Sequence, residues 1–227
     1  MGGRSEPRWT AALFDLDGTL IDTRPGMLTA LGAALSEVMG DDTGARLANL
    51  SLPLEAMVGS AAPAATAEER QLMTSAFRRH YDAGHWKAAQ VYPGAETCLS
   101  EFRAAGLRTF VVTNKRTRAA ERLLEQFHLA GYFERVLGQP EAGTPTPKSD
   151  LAGQCLADAG LNPGMAVVVG DSDHDAAMAA SWGMTFLALT SGAGPLSPAS
   201  ADHHRIDVDS LAGASALVLD EAPGRDS

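Results

Sequence analysis

The chain has 227 residues, a formal net charge of -10, and 45% apolar and 20% charged residues. That length holds one good core, or one core plus a small accessory domain. The acidic balance argues against a sequence-independent nucleic-acid binder, which needs a basic face, although a local site for small anions stays open.

In chain order, the polar start Met1 to Arg8 carries no apolar leader core and no apolar run is long enough to span a bilayer, so a soluble, reducing, cytoplasmic setting without a membrane partner is expected. Thr10 to Leu16 reads as a strand that breaks into Asp17-Gly18. Strand side chains alternate, so Asp15 and Asp17 can project the same way while Leu16 turns into the core. Two neighbouring carboxylates repel and call for a cation, a shared proton or open water. The pair therefore fits a divalent metal with oxygen ligands, an acid/base pair, or simply an exposed turn, since Asp and Gly both favour turns.

Next, Thr23 is placed to cap a helix from Pro25 to Met39, with Met27, Leu28, Leu31, Leu35, Val38 and Met39 on one face and Gly40 at its end. Leu47 to Val58 reads as a second helical piece interrupted at Ser51-Leu52-Pro53. Thr66 and Glu69 match a capping box, opening a helix whose Leu72, Met73, Ala76, Phe77 and Tyr81 share a face. Residues 24 to 90 thus read as all-helical, with no strand. The Arg78-Arg79-His80 run is assigned to a solvated face, and Ser60 to Ala67 to a loop.

The second half alternates. Tyr92-Pro93-Gly94 opens a helix to Ala105, and Leu107 to Thr113 is an apolar, β-branched strand. A helix over Lys115 to His128, a strand over Phe133 to Leu137 and a helix over Ser149 to Ala159 follow. Met165 to Gly170 is a strand that breaks into Asp171, then come a helix over Asp173 to Trp182, a strand over Thr185 to Leu189 and a short edge strand over Arg205 to Val208. Ser191 to Ala201 reads as a loop and Pro223 to Ser227 as a loose tail. Cys98 and Cys155 fall in helices and form no CxxC pair, so two free structural thiols are expected, a single disulfide being the alternative.

Strands apolar on both faces and alternating with helices predict an α/β fold, a Rossmann-like parallel sheet with helices on both faces. In such sheets ligands bind beyond the carboxyl ends of the strands. There lie Asp15 and Asp17, then Thr113-Asn114-Lys115, then Asp171-Ser172-Asp173-His174-Asp175. The helical block is inserted at that rim, where a lid would be.

An ionised Asp is a workable nucleophile towards a strongly electrophilic centre such as phosphorus. Attack on a phosphate dianion needs Mg²⁺ between the anions, and phosphoryl transfer needs fixed positive charge and donors for the equatorial oxygens. Lys148, Thr113 and helix-start amides are available for that work.

Four motifs in this order resemble those of the haloacid dehalogenase-like (HAD) phosphohydrolases with a small helical cap: Asp15-Leu16-Asp17-Gly18-Thr19-Leu20, Val112-Thr113-Asn114, Lys148, and Gly170-Asp171-Ser172-Asp173-His174-Asp175. The similarity spans roughly residues 10 to 190, and Tyr92-Pro93-Gly94 resembles phosphoglycolate phosphatase-like members. It implies a core domain of residues 1–22 and 91–227 and a cap of residues 23–90. It also implies that Asp15 is the nucleophile and that Asp17 is the acid, then the base. Asp15, Asp17 through its backbone carbonyl, and Asp171 would hold Mg²⁺, with Asp175 supporting the metal shell. Thr113 and Asn114 would bind phosphoryl oxygens, Lys148 would pin Asp15 and the phosphate, and Ser51 would lie on the cap's substrate-facing loop. Lys148 lacks the Pro that often follows this lysine in the family, and Ser51 stands where Gly is commoner.

The implied activity is Mg²⁺-dependent hydrolysis of a small phosphorylated metabolite, phosphoglycolate-like or a nucleotide or sugar phosphate. A β-phosphoglucomutase-like transferase and a non-catalytic binding module are the alternatives. Retention of Asp17 argues against a dehalogenase, and the absence of lysine between residues 20 and 86 against a phosphonatase. His174 and His203-His204 are assigned to loop and surface, and Trp9, Trp86 and Trp182 to packing.

Overall fold

The computed structural model describes residues 8–191, 196–197 and 204–221. Its first strand, β1 (Ala11–Phe14), is buried along its whole length. Only a strand with neighbours on both edges and layers on both faces accepts such a sequence. Those neighbours are β4 (Arg108–Arg116) and β6 (Ala166–Gly170), and the six-stranded order is β5 (Arg135–Gln139), β4, β1, β6, β7 (Thr185–Leu189), β8 (Arg205–Val208). Every pairing in it is parallel.

One face packs Ala11, Leu13, Phe110, Val112 and Val168 against Leu151, Cys155 and Met178 of α6 (Lys148–Ala159) and α7 (Asp173–Trp182). On the other face Phe14 meets Phe102 of α4 (Ala95–Ala104), with ring centroids 5.2 Å apart. There α4 also packs on α8 (Leu211–Asp220). The α/β layering expected from the alternation of elements is therefore what the chain adopts. Helix α8 went unread, although Ser210 caps it through the Gly213 amide and Leu211, Ala214 and Val218 carry the helical spacing.

The chain divides into two compact units, Met1–Leu20 with Val91–Ser227, and Ile21–Gln90. The second unit holds α1 (Arg24–Met39), α2 (Leu54–Ala61) and α3 (Ala67–Ala83) around Leu31, Leu35, Met57, Met73 and Phe77. Several local readings there are corrected. Thr23 precedes α1, but its hydroxyl donates to the Met27 sulfur instead of capping the helix. The stretch read as Leu47 to Val58 is a 3-10 turn over Thr43–Leu47 followed by α2, which carries on into the presumed loop as far as Ala61. Leu28, Met39 and Leu72, read as core-facing, are exposed, because the buried stripes run through Leu31 and Leu35 and through Met73 and Phe77. Residues 24–89 hold no strand, as expected; the short β2 (Ile21–Asp22), just before the segment, pairs with β3 (Gln90–Val91), which begins at its last residue. The capping box forms, with Thr66 Oγ1 accepting from the Glu69 amide and Glu69 Oε2 accepting from the Thr66 amide. Arg78 pairs with Glu55, and Arg79 and His80 with Glu37, as a solvated face would.

In the sheet unit, β4 continues through Lys115 to Arg116, where a helix start was expected, and α5 (Thr117–Gln126) begins only beyond it. Cys98 and Cys155 are free and buried, and burial pushes both thiols up to about 12, so neither is a nucleophile at neutral pH. Trp9 is buried, and Trp182 donates its indole N–H to the Ser149 carbonyl. No described helix is long and apolar enough to cross a membrane. Residues 1–7, His203, most of the Ser191 to Ala201 stretch and the tail fall outside the described residues.

Candidate active site

The chain winds from β1 outward through β4 to β5, then returns to lay β6 on the other side of β1. The strand order reverses there, and the crevice beyond the strand ends at such a reversal is where open parallel sheets bind ligands. Asp15 follows β1 and Asp171 follows β6, and the Asp15 amide donates to the Val169 carbonyl at 2.9 Å, so the ladder itself sets one strand end beside the other.

Lys148, in the first turn of α6, reaches into this crevice. Its Nζ lies 2.5 Å from Asp15 Oδ1 and 2.6 Å from Asp175 Oδ1, and all three side chains are buried. The second Asp175 oxygen accepts from the Ser172 amide and hydroxyl at 3.1 and 2.6 Å, which fastens Asp175 to the start of α7. Gly170 is needed for this: a Cβ there would run into the Asp175 carboxyl. Gly18, at φ 89°, likewise brings the backbone after Asp17 against the Asp171 carboxylate, where a Cβ has no room. Thr19 Oγ1 donates to Asp171 Oδ1 at 3.2 Å.

Asp15, Asp171 and Asp175 each place a carboxylate oxygen within 4.8 Å of the other two. Burial is the first cause that pushes the Asp15 carboxyl up to about 8; Lys148 opposes it, and Asp175, Asp171 and Asp17 add to it. For Lys148 burial alone works against the ammonium, but Asp15 and Asp175 outweigh it and hold the amine charged. In this buried setting one ammonium among three carboxyl groups does not let all three ionise, which is why Asp15 keeps its proton, and a hard cation with oxygen preference suits that donor set. Asp175 is fastened through both oxygens, to Lys148 and to Ser172, which suits it to support the donor set, while Asp15 and Asp171 stand at the two adjacent strand ends.

The other sequence candidates divide. Asp17 stands outside the three-carboxylate group; its carboxylate meets Lys115 Nζ at 3.0 and 3.1 Å. The sequence places Lys115 in the polar cluster at the strand-end rim and at a helix start, with no role for its side chain. Its sequence signal was only its place beside Thr113-Asn114, and its partner is 98 residues away. Thr113 is buried within β4, three residues before its end, its hydroxyl oxygen accepting from the Lys115 amide, and Asn114 follows it half-buried. Asp173 is exposed and accepts from the Ser197 amide, unlike buried Asp175. Ser51 belongs to the helical unit, in the turn before α2, where its amide donates to Asn49 Oδ1.

This arrangement belongs to a known class. Residues 12–189 match the haloacid dehalogenase-like hydrolase family, and the chain is a member of it: an enzyme, a hydrolase of the phosphoglycolate phosphatase-like kind. A phosphoglycolate phosphatase of Cereibacter sphaeroides is 31% identical over 186 residues, which cover 79% of this chain and 84% of that one. A probable phosphatase, IndB, of Dickeya dadantii is 31% identical over 79% of this chain and 80% of its own length. Among solved structures, a haloacid dehalogenase-like hydrolase from Streptococcus pneumoniae superposes with a TM-score of 0.79 at 25% identity, covering 92% of this chain and 98% of that one.

Proposed function

We propose that the protein is a Mg²⁺-dependent phosphatase of small phosphomonoesters that works through an aspartyl phosphate on Asp15. The observation that carries this reading is the Lys148 ammonium held between Asp15 and Asp175, with Asp171 alongside, at the strand-order reversal. Mg²⁺ on Asp15 and Asp171, backed by Asp175, would offset the repulsion between the nucleophile and the phosphoryl oxygens.

Asp15 attacks phosphorus through a carboxylate oxygen while Asp17 protonates the departing alkoxide. Asp17 then takes a proton from the water that attacks the aspartyl phosphate, which frees Asp15 and phosphate. Lys148 holds the Asp15 carboxylate and stands by the charge on the phosphoryl oxygens, joined by Thr113, Asn114 and the amides at the strand ends. By the family resemblance, residues 23–90 would serve as the cap, with Ser51 on its substrate-facing loop. The name of the Cereibacter relative favours a short phosphorylated acid such as 2-phosphoglycolate over nucleotide and sugar phosphates. Two buried free thiols agree with a reducing, cytoplasmic setting.

A panel of phosphorylated metabolites, with p-nitrophenyl phosphate as reference, is the direct test. Hydrolysis is expected to vanish on chelation, return with Mg²⁺, and give its highest kcat/KM on a small phosphorylated acid. Turnover indifferent to chelation would remove the metal from the reading, and no turnover of any phosphomonoester would remove the activity.

The electrostatics make a second, independent expectation. Metal-free folded Asp15 holds its proton up to about 8, whereas the unfolded side chain loses it near 3.8. Between those values the folded state binds more protons, so metal-free stability falls as pH rises through the window. Mg²⁺ needs the ionised carboxylate and therefore binds more tightly as pH rises. The Tm increment produced by saturating Mg²⁺ should be larger at about pH 9 than at about pH 6. An increment independent of pH would show that Asp15 is not a metal ligand.

A further inference from the structure

Lys115 is a second, part-buried cation at these strand ends, and the fold goes to some length to place it. Along the β4–β5 pairing, Val112 is opposite Leu137 and Arg116 opposite Gln139, so four steps on β4 match two on β5 and residues 113–115 bulge from the ladder. Bulges redirect side chains and recur beside active sites. Gly138 of β5 lies against the bulge: a Cβ there would collide with the Lys115 carbonyl and press on the Thr117 amide. The Lys115 amide is tied back to Thr113 Oγ1 at 3.2 Å. The side chain that leaves this distorted strand end is 10% exposed and contacts both oxygens of Asp17, itself 27% exposed, at 3.0 and 3.1 Å. A lysine serving only as surface charge would instead keep its ammonium in water.

We propose that Lys115 is the positioning residue for Asp17, gripping both carboxylate oxygens so that the one carrying or receiving the proton is held against the leaving group. The inference rests on the reading of Asp17 as acid and then base. In the first step the proton on Asp17 passes to the leaving oxygen as its bond to phosphorus breaks and phosphorus bonds to Asp15. In the second, Asp17 takes a proton from water as the water oxygen bonds to phosphorus and the Asp15 ester breaks. Both transfers need the carboxyl within hydrogen-bond reach of an oxygen whose place is set by the phosphorus. Asp15 is held by Lys148 and Asp17 by Lys115, so nucleophile and proton carrier each have their own lysine, from α6 and β4 respectively.

The test compares Lys115→Met, Lys115→Arg and Asp17→Asn in the Mg²⁺-loaded enzyme on two esters. p-Nitrophenyl phosphate has a leaving group that departs as a stable anion; an alkyl phosphate has one that must be protonated. Lys115→Met should lower kcat by about tenfold or less on the aryl ester and by about a hundredfold on the alkyl ester, with KM little changed. Asp17→Asn should show the same contrast more strongly, and Lys115→Arg, whose fork can also grip both oxygens, should recover most of the alkyl rate. Equal losses on both esters for Lys115→Met, with the contrast kept in Asp17→Asn, would overturn the role of Lys115 alone. Equal losses on both esters for Asp17→Asn would overturn the acid–base reading and this inference with it. A fold defect would lower both rates alike and would not be relieved on one ester by arginine.

Discussion

Replacing Asp15 by asparagine is expected to lower phosphomonoester hydrolysis by at least about a thousandfold and to abolish any acid-stable, hydroxylamine-sensitive phosphoenzyme. The substitution keeps the shape of the side chain but removes the oxygen anion that attacks phosphorus, and the amide is a poor ligand for Mg²⁺. Stability should move the other way. Wild-type Asp15 is buried with its carboxyl pushed up to about 8, so ionising it above that pH costs folding free energy that asparagine does not incur. Lys148 keeps its second partner, Asp175, in the variant. Metal-free Asp15→Asn should therefore show a flatter dependence of Tm on pH than wild type across pH 6 to about 9. Residual turnover within tenfold of wild type, or phosphate still trapped on the protein, would show that another group is the nucleophile.

Lys148→Met carries the second large effect, and here stability and activity fall together. Methionine fills comparable space but leaves Asp15 and Asp175 buried with the ammonium between them gone. Removing one partner of a buried charged group costs on the order of 3 kcal/mol, roughly 6–12 °C in Tm for a chain of this size. The carboxylates can escape part of that cost by taking up protons, so the deficit should shrink as pH falls below neutral and grow as it rises. Mg²⁺, by restoring positive charge, should recover part of the Tm. Activity should remain reduced by about a hundredfold or more even with Mg²⁺, because the fixed charge beside the phosphoryl oxygens is missing. A Tm within about 2 °C of wild type at neutral pH would mean that the buried carboxylates do not depend on Lys148.

Much of this was legible from local pattern. Val167, Val168 and Val169 before Gly170-Asp171 read as a strand running into a site because β-branched residues without polar alternation have few other uses, and the capping box at Thr66 and Glu69 is complete within four residues. Lys148 was picked out by the motif order, and its contact with Asp15 then followed from the packing of α6 on the sheet. What failed was mostly what local pattern cannot carry. Leu28 and Leu72 fit the apolar spacing of α1 and α3, yet a stripe with one residue too many leaves some of it in water, and only the partner helices decide which. The extension of β4 through Lys115 depends on a bulge against β5 and on the missing Cβ of Gly138, both facts about the neighbouring strand.

The sequence by itself determined that this chain is an α/β hydrolase of the haloacid dehalogenase-like family, because strand periodicity and the Asp15-Leu16-Asp17-Gly18-Thr19 motif are short-range properties written in consecutive residues. The motif resemblance already implied Lys148 at Asp15; only the tertiary structure decided how the other carboxylates are shared out, Asp175 to the same lysine and Asp17 to Lys115. Lys148 takes Asp15 and Asp175 across 133 and 27 residues, and Lys115 takes Asp17 across 98. Pairings at that separation depend on strand order and register, since a buried charge takes whichever opposite charge the fold brings within reach.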